Sequence, residues 1–197
     1  MISRLRGQLL SRDAEGMVEV ETPGGVVYEA EVPLTVLQRM PAPGSPIELR
    51  THQVVREDRI DLYGFLEAGE RELFRRLMIV KGVGPSLALK LLSAYAAPRL
   101  ARALAEKDVG ALQQVSGVGK KTAERLALEL WDKVGDLAVS ASGPGGEPTP
   151  PIAQGAVAAL VALGYTFADA DTAVLKVLED GGAETAEELI RKALQRR

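Results

Sequence analysis

The chain has 197 residues, enough for more than one compact unit, with 46% hydrophobic and 26% charged residues, an ordinary globular composition. It has no cysteine, which excludes disulfides and thiolate metal sites, and its single histidine, His52, excludes a histidine metal cluster and argues against a serine or cysteine triad. A net charge of −3 argues superficially against nucleic acid, but residues 64–140 carry 12 basic against 9 acidic residues while both flanking thirds are net acidic. No apolar run approaches membrane-spanning length, so a soluble intracellular chain is expected, with no membrane contact.

Residues 1–65 read as β. Strands are predicted over Ile2–Leu10, Met17–Glu21, Val26–Val32, Ile47–Val55 and Ile60–Phe65. The alternation in the third puts Val26, Tyr28, Ala30 and Val32 on one face, and Pro23-Gly24-Gly25 supplies the turn before it. Leu34–Met40 is a short helix or turn. Five short strands with a helical insert fit a small closed barrel of the oligonucleotide/oligosaccharide-binding type, or a small sandwich, which periodicity does not separate. Glu57-Asp58 falls at the tip of the last hairpin, where acids are ordinarily just solvated.

Near Gly64 the period changes to that of helices. Leu73, Leu77 and Val80 form one stripe, Leu87, Leu91 and Leu92 the next, and Leu100, Ala103 and Leu104 a connecting helix. Asp108 is positioned to cap a short helix leading to Leu112, and Ala123, Leu126, Ala127 and Leu130 define the last helix of the region. Within this stretch one phrase occurs twice, 35 residues apart: Val80-Lys81-Gly82-Val83-Gly84-Pro85 and Val115-Ser116-Gly117-Val118-Gly119-Lys120. Each copy reads as a helix end, a Gly-x-Gly turn and a helix start, which aims unpaired backbone N–H groups and a positive dipole end at an anion. A single copy is ordinarily plain helix packing. Two in register, the second carrying Lys120, Lys121 and Arg125, favour a clamp on phosphate backbone with little sequence preference.

Ser140–Pro151 has a linker's composition and is expected to be flexible. Beyond it, Ile152–Leu163 is an alanine-rich helix broken at Gly164-Tyr165. Thr166 or Asp169 starts a second helix through Leu178, Gly181-Gly182 breaks it, and Thr185–Glu188 has capping-box spacing for a third. About 46 residues is near the lower limit for unaided folding, which suits a tethered docking module.

Taken together, Met1–Gly7, Val54–Asp58, Leu62–Phe65, Gly82–Pro85, Gly117–Leu126 and Ala156–Tyr165 resemble the RuvA family of bacterial Holliday-junction branch-migration proteins, across all three segments in order. The resemblance implies a multidomain protein, β then all-α: a five-stranded OB-fold barrel at 1–64, a tandem helix-hairpin-helix DNA-binding domain at 65–139, a linker at 140–151 and a small UBA-like three-helix bundle at 152–197. It implies a cytoplasmic, non-catalytic subunit without cofactor or catalytic residues, acting in recombination and SOS-linked repair. Such a subunit assembles as a homotetramer, alone or as two facing tetramers, that holds a four-way junction open and square. Its implied partners are the RuvB hexameric ATPase and the RuvC junction endonuclease. The implied DNA contacts are Gly82, Val83, Gly84, Ser86, Gly117, Val118, Gly119, Lys120, Lys121 and Arg125. Glu57 and Asp58 match the family's acidic pin, and Leu160, Leu163 and Tyr165 match the motor-binding helix and turn. Ser86 stands where family members often carry lysine, which weakens the first clamp, and the linker is short for the family.

Two other classes remain to be weighed. A glycosylase or nuclease would need a catalytic base in a pocket or a carboxylate metal cluster, and the acids here are scattered. A general single-strand binder would need stacking platforms, and three phenylalanines and four tyrosines provide few.

Overall fold

The computed structural model describes residues 1–138, 151–179 and 185–195. The chain divides into two units, Met1–Ala96 and Ala97–Arg197.

The first unit opens with β1 (Arg4–Arg12), β2 (Met17–Glu21), β3 (Val27–Glu31), the short helix α1 (Leu34–Leu37), β4 (Pro46–Val55) and β5 (Ile60–Phe65). These strands close a barrel in the order β1-β2-β3-β5-β4, with β3 and β5 parallel at Glu31–Tyr63, so the sandwich alternative falls away. Closure depends on β1 serving two neighbours, β4 through residues 4–8 and β2 through residues 8–12. Gly7 sits at that handover, where any Cβ would overlap the Glu21 carbonyl. Inward positions of every strand fill the barrel: Leu5, Leu9, Val18, Val20, Ala30, Val32, Ile47, Leu49 and Leu62 are buried. The expected inward face of the third strand holds for Ala30 and Val32. Val26 is 52% exposed instead, because it still belongs to the turn before the strand begins at Val27.

Helices α2 (Ala68–Ile79) and α3 (Pro85–Ala94) complete this unit. Phe74 of α2 packs its ring 5.0–5.6 Å from those of Tyr63, Phe65 and His52, tying the helix to the barrel wall. Glu70 is almost fully buried and satisfied: it accepts from the backbone N–H of Leu66 at 3.1 Å and Glu67 at 2.9 Å, and from the Arg39 guanidinium. At the other end, the Thr35 hydroxyl donates to the Leu92 carbonyl at 2.6 Å and the Ser93 hydroxyl accepts from Leu34 N–H at 3.0 Å. Both helices are therefore fixed to the barrel by buried aromatics and specific hydrogen bonds.

The second unit contains α4 (Ala97–Ala105), α5 (Val109–Gln113), α6 (Lys120–Leu130), α7 (Gly135–Ala138), α8 (Pro151–Ala162), α9 (Phe167–Glu179) and α10 (Ala186–Gln195). Asp108 caps α5 as expected, its carboxylate accepting from Ala111 N–H at 2.9 Å. Lys107, in the left-handed region at φ 56°, ends α4 and places its ammonium 4.0 Å over the Trp131 ring at the end of α6. Helix α8 ends at Gly164 (φ 95°), where Tyr165 N–H reaches back to the Leu160 carbonyl at 3.1 Å. Thr166 opens α9, its hydroxyl accepting from Asp169 N–H at 3.1 Å, and Thr185 does the same for Glu188 at 3.2 Å. The expected linker lies outside the described residues except for Pro151, which is already the first residue of α8; the Gly181-Gly182 break also lies outside them.

Candidate nucleic-acid interface

The doubled phrase folds into two copies of one backbone. Gly82 and Gly117 take φ 88° and 93°, values that only glycine adopts without strain, and this reverses the chain between helices. In the next position Val83 N–H bonds the Val80 carbonyl, and Val118 N–H the Val115 carbonyl, both at 3.0 Å. Gly84 and Gly119 then act as N-caps in extended conformation, their carbonyls accepting from Ala88 and Ala123 at 3.0 Å. Beneath each turn the matching aliphatics are buried: Leu77, Ala88 and Leu91 in the first, Leu112, Ala123 and Leu126 in the second.

The four glycines therefore do two different jobs. Gly82 and Gly117 satisfy a backbone requirement. Gly84 and Gly119 satisfy none among the described residues, since neither has positive φ and a Cβ added to either meets nothing within 4 Å there. Among the described residues no side-chain hydrogen bond caps α3 or α6; Pro85 has no N–H and Thr122 N–H is taken by the Gly119 carbonyl at 3.0 Å, so the N–H groups of Ser86 and Leu87 and of Lys120 and Lys121 are the ones without a helix partner, beside glycines that leave the surface bare. That is the shape a phosphate needs for close approach.

Lys120, Lys121 and Arg125 are all exposed on the first turns of α6, and Lys120 stands 3.9 Å from Glu124, a loose surface pair. The corresponding surface of α3 offers exposed Ser86 and Lys90. Val83 and Val118 behave differently from the other expected contact residues. Their side chains are 5% and 6% exposed and their N–H groups are used inside the turn, so they hold it rather than touch a ligand. Burial of the middle residue was readable only from its apolar character.

At the β4–β5 tip, Arg56 N–H bonds the Arg59 carbonyl at 2.9 Å and closes a tight reversal around Glu57 and Asp58. Both acids are exposed. Arg56 and Arg59 lie beside them in sequence, yet both guanidinium groups turn back toward Asp61, with Nε at 3.6 and 3.2 Å from its carboxylate. Asp61 was not singled out by sequence, because its position one residue into β5 matters only after the hairpin folds. Among the described residues Glu57 and Asp58 have no ion-pair partner within 4.0 Å, so the tip presents two uncompensated negative charges.

In the C-terminal helices Leu163 is 65% exposed, and Tyr165 is half-buried and lines a groove of about 310 Å³ with Asp169, Lys176 and Leu194. Leu160 is buried, at 1% exposure. Among the described residues no group of acids and histidine could hold a metal ion, and no helix is long and apolar enough to cross a membrane.

Comparison with known proteins agrees with this layout. Residues 1–64 match the RuvA N-terminal domain, 74–132 a SAM-like helix-hairpin-helix tandem and 153–196 the RuvA C-terminal domain. A protein of Gemmatimonas aurantiaca named Holliday junction branch migration complex subunit RuvA is 46% identical over 196 residues, covering 100% of this chain and 98% of its own length. The chain belongs to the RuvA family. Proteins of the same name from Stutzerimonas stutzeri and Thioalkalivibrio sulfidiphilus are 43% and 42% identical, each over 99% of this chain and 98% of their own length. The RuvA architecture of barrel, helix-hairpin-helix region and C-terminal helices is thus shared along the chain, and it is that of a Holliday junction branch migration subunit.

Proposed function

We propose that this chain assembles as a homotetramer that binds four-way DNA junctions by shape, holds them open and square, and recruits and stimulates the RuvB ATPase. In this reading residues 1–64 form the barrel carrying the pin, 65–139 the DNA-gripping domain and 152–197 the motor-binding domain on its linker. The observation that carries it is the pair of turns whose N-capping glycines, Gly84 and Gly119, answer to no steric or conformational need among the described residues. Backbone amides there contact phosphates, with Lys120, Lys121 and Arg125 adding charge to the second turn and Ser86 a neutral donor to the first. Such contacts position a duplex arm and carry no sequence information.

Grip without sequence preference becomes junction recognition through symmetry. Four copies would supply four pairs of turns, one pair per arm, around four acidic tips. Glu57 and Asp58 repel phosphates, which keeps duplex from settling over the crossover and favours exchange of strands there. ATP hydrolysis belongs to the separate motor chain, which meets Leu163 and Tyr165. RuvC acts on the same open junction, in the bacterial cytoplasm.

Light scattering of the full chain, free and with a four-way junction, tests the assembly. Four copies, or eight, per junction are expected, together with increased ATPase turnover by RuvB. A monomer under all conditions would overturn the reading.

A further inference from the structure

The β4–β5 hairpin has two unlike faces. Its ladder ends with Val54 opposite Asp61 and then Val55 opposite Ile60, next to the reversal closed by Arg56 and Arg59. Side chains alternate along each strand, so Arg56, Arg59 and Asp61 share one face, where the carboxylate takes both guanidinium groups. Val55 and Ile60 share the other. Farther down the strand that same face carries Leu62 into the barrel core.

Leu62 is 8% exposed, whereas Val55 and Ile60, one step beyond it toward the tip, are 66% and 65% exposed. The neighbouring 56–59 pair carries the backbone hydrogen bond, so 55 and 60 fall in the register without one. Facing side chains come closest there, with Cβ atoms about 5 Å apart. Arginine stems on the same face would cover such a pair. Asp61 holds both arginines on the opposite face, and the two aliphatic side chains stay open beside the acids of the tip.

The surroundings narrow what can cover this platform. Glu57 and Asp58, exposed beside it, repel phosphate, so the sugar-phosphate backbone does not rest there. A protein partner needs about 800 Å² on each side, of which two aliphatic side chains supply a small part. The face of a nucleobase is uncharged and of matching extent, and isoleucine is among the side chains that proteins set against partly unstacked base steps. Bases lose their stacking neighbours where strands cross.

We propose that Val55 and Ile60 form an apolar platform on which a nucleobase released from its stack at the crossover packs. The proposal rests on the reading above that puts the hairpin tip at the crossover. The hairpin then divides its work: Glu57 and Asp58 keep phosphates off the centre, and the platform holds bases that strand exchange must unpair, offsetting part of the stacking they lose.

The test uses 2-aminopurine, a base analogue that brightens on unstacking, placed either at the crossover or in the middle of one arm of a junction whose sequence prevents migration. Full-length chain is added until a gel shift shows every junction bound, and the crossover probe is expected to brighten while the arm probe does not. Val55→Thr with Ile60→Thr keeps the β-branched shape and strand preference but makes the face polar. This double variant should cut the crossover signal at least twofold at full occupancy. Val55→Ile with Ile60→Val keeps the face apolar and should retain the signal; Ile60→Thr alone should give an intermediate one and serves if the double variant melts early. An unchanged signal in the folded threonine variants, or its loss in the apolar exchange, overturns the platform. So does loss of assembly by the double variant in light scattering, which would make the pair a contact between copies. Failure of the reading beneath it shows separately, in the parent chain, as a crossover probe that responds no more than the arm probe on a fully bound junction.

Discussion

The Asp61 carboxylate lies 3.2 Å from Arg59 Nε and also takes Arg56 at 3.6 Å, so one acid at the base of the hairpin draws both neighbouring arginines away from its tip. Without it, two cations beside Glu57 and Asp58 would leave the tip near neutral. Asp61→Asn should therefore tighten junction binding while slowing strand exchange. The affinity gain is limited to about fivefold at low salt, since an exposed pair is worth up to about 1 kcal/mol. Binding isotherms and a branch-migration assay on the same variant check this; weaker binding would remove Asp61 from the account.

Replacing the tip acids themselves, Glu57→Gln with Asp58→Asn, should retain or tighten junction binding and alter branch migration. Both side chains are exposed and neither serves the fold through an ion pair among the described residues. If binding collapses, these acids are structural.

The two glycines of each turn separate fold from function. Gly82→Ala or Gly117→Ala forces an L side chain to φ near 90° and should destabilise the protein by about 1–2 kcal/mol. Gly84→Ala or Gly119→Ala meets no atom and no φ restriction, and should shift stability by less than about 1 kcal/mol. These latter variants should nonetheless lose junction affinity, because the new methyl stands where a phosphate must approach. Thermal melts paired with binding isotherms distinguish the two classes, and unchanged binding by both Gly84→Ala and Gly119→Ala would mean that the bare surfaces serve no ligand.

His52 supplies a pH dependence. Burial against Phe74, then the Arg75 and Arg71 charges, hold its pKa below the ordinary 6.5. The unfolded chain thus takes up the proton more readily, so this contribution to stability is full above pH 6.5 and is lost as pH falls through the folded value. Urea midpoints between about pH 5 and 8 should fall on the acid side, and His52→Gln should flatten that portion of the curve.

Much of this was legible in the sequence because it is local. The Gly-x-Gly turns, the Asp108 cap and the strand alternation involve residues within one or two turns of each other. The barrel could not be separated from a sandwich, because closure depends on β1 splitting its pairing beside Gly7 between two strands distant in sequence, with Gln8 opposite both Glu21 of β2 and Pro46 of β4. The Arg102–Asp171 contact, 69 residues apart, is long-range in the same way, whereas Arg56 and Arg59 are near Asp61 in sequence and group on it only once the hairpin has closed. Val83 and Val118 stand among the expected contact residues because a motif does not say which of its members face inward.

The expected electrostatic contribution of the second turn is additive to its amides. Lys120→Ala with Lys121→Ala should weaken junction binding and flatten its dependence on salt, since each phosphate neutralised contributes about 0.9 to the logarithmic slope. An unchanged slope would take both lysines off the contact surface.

The central claim is that paired turns without sequence preference recognise the shape of a junction, and a competition gel shift measures it most directly. Labelled four-way junction is bound by the full-length chain and challenged with unlabelled junction, duplex and single strand of matched length. The account predicts that only junction competes efficiently and that retention falls steeply with salt for all ligands. Equal competition by the three, or binding indifferent to salt, would contradict it.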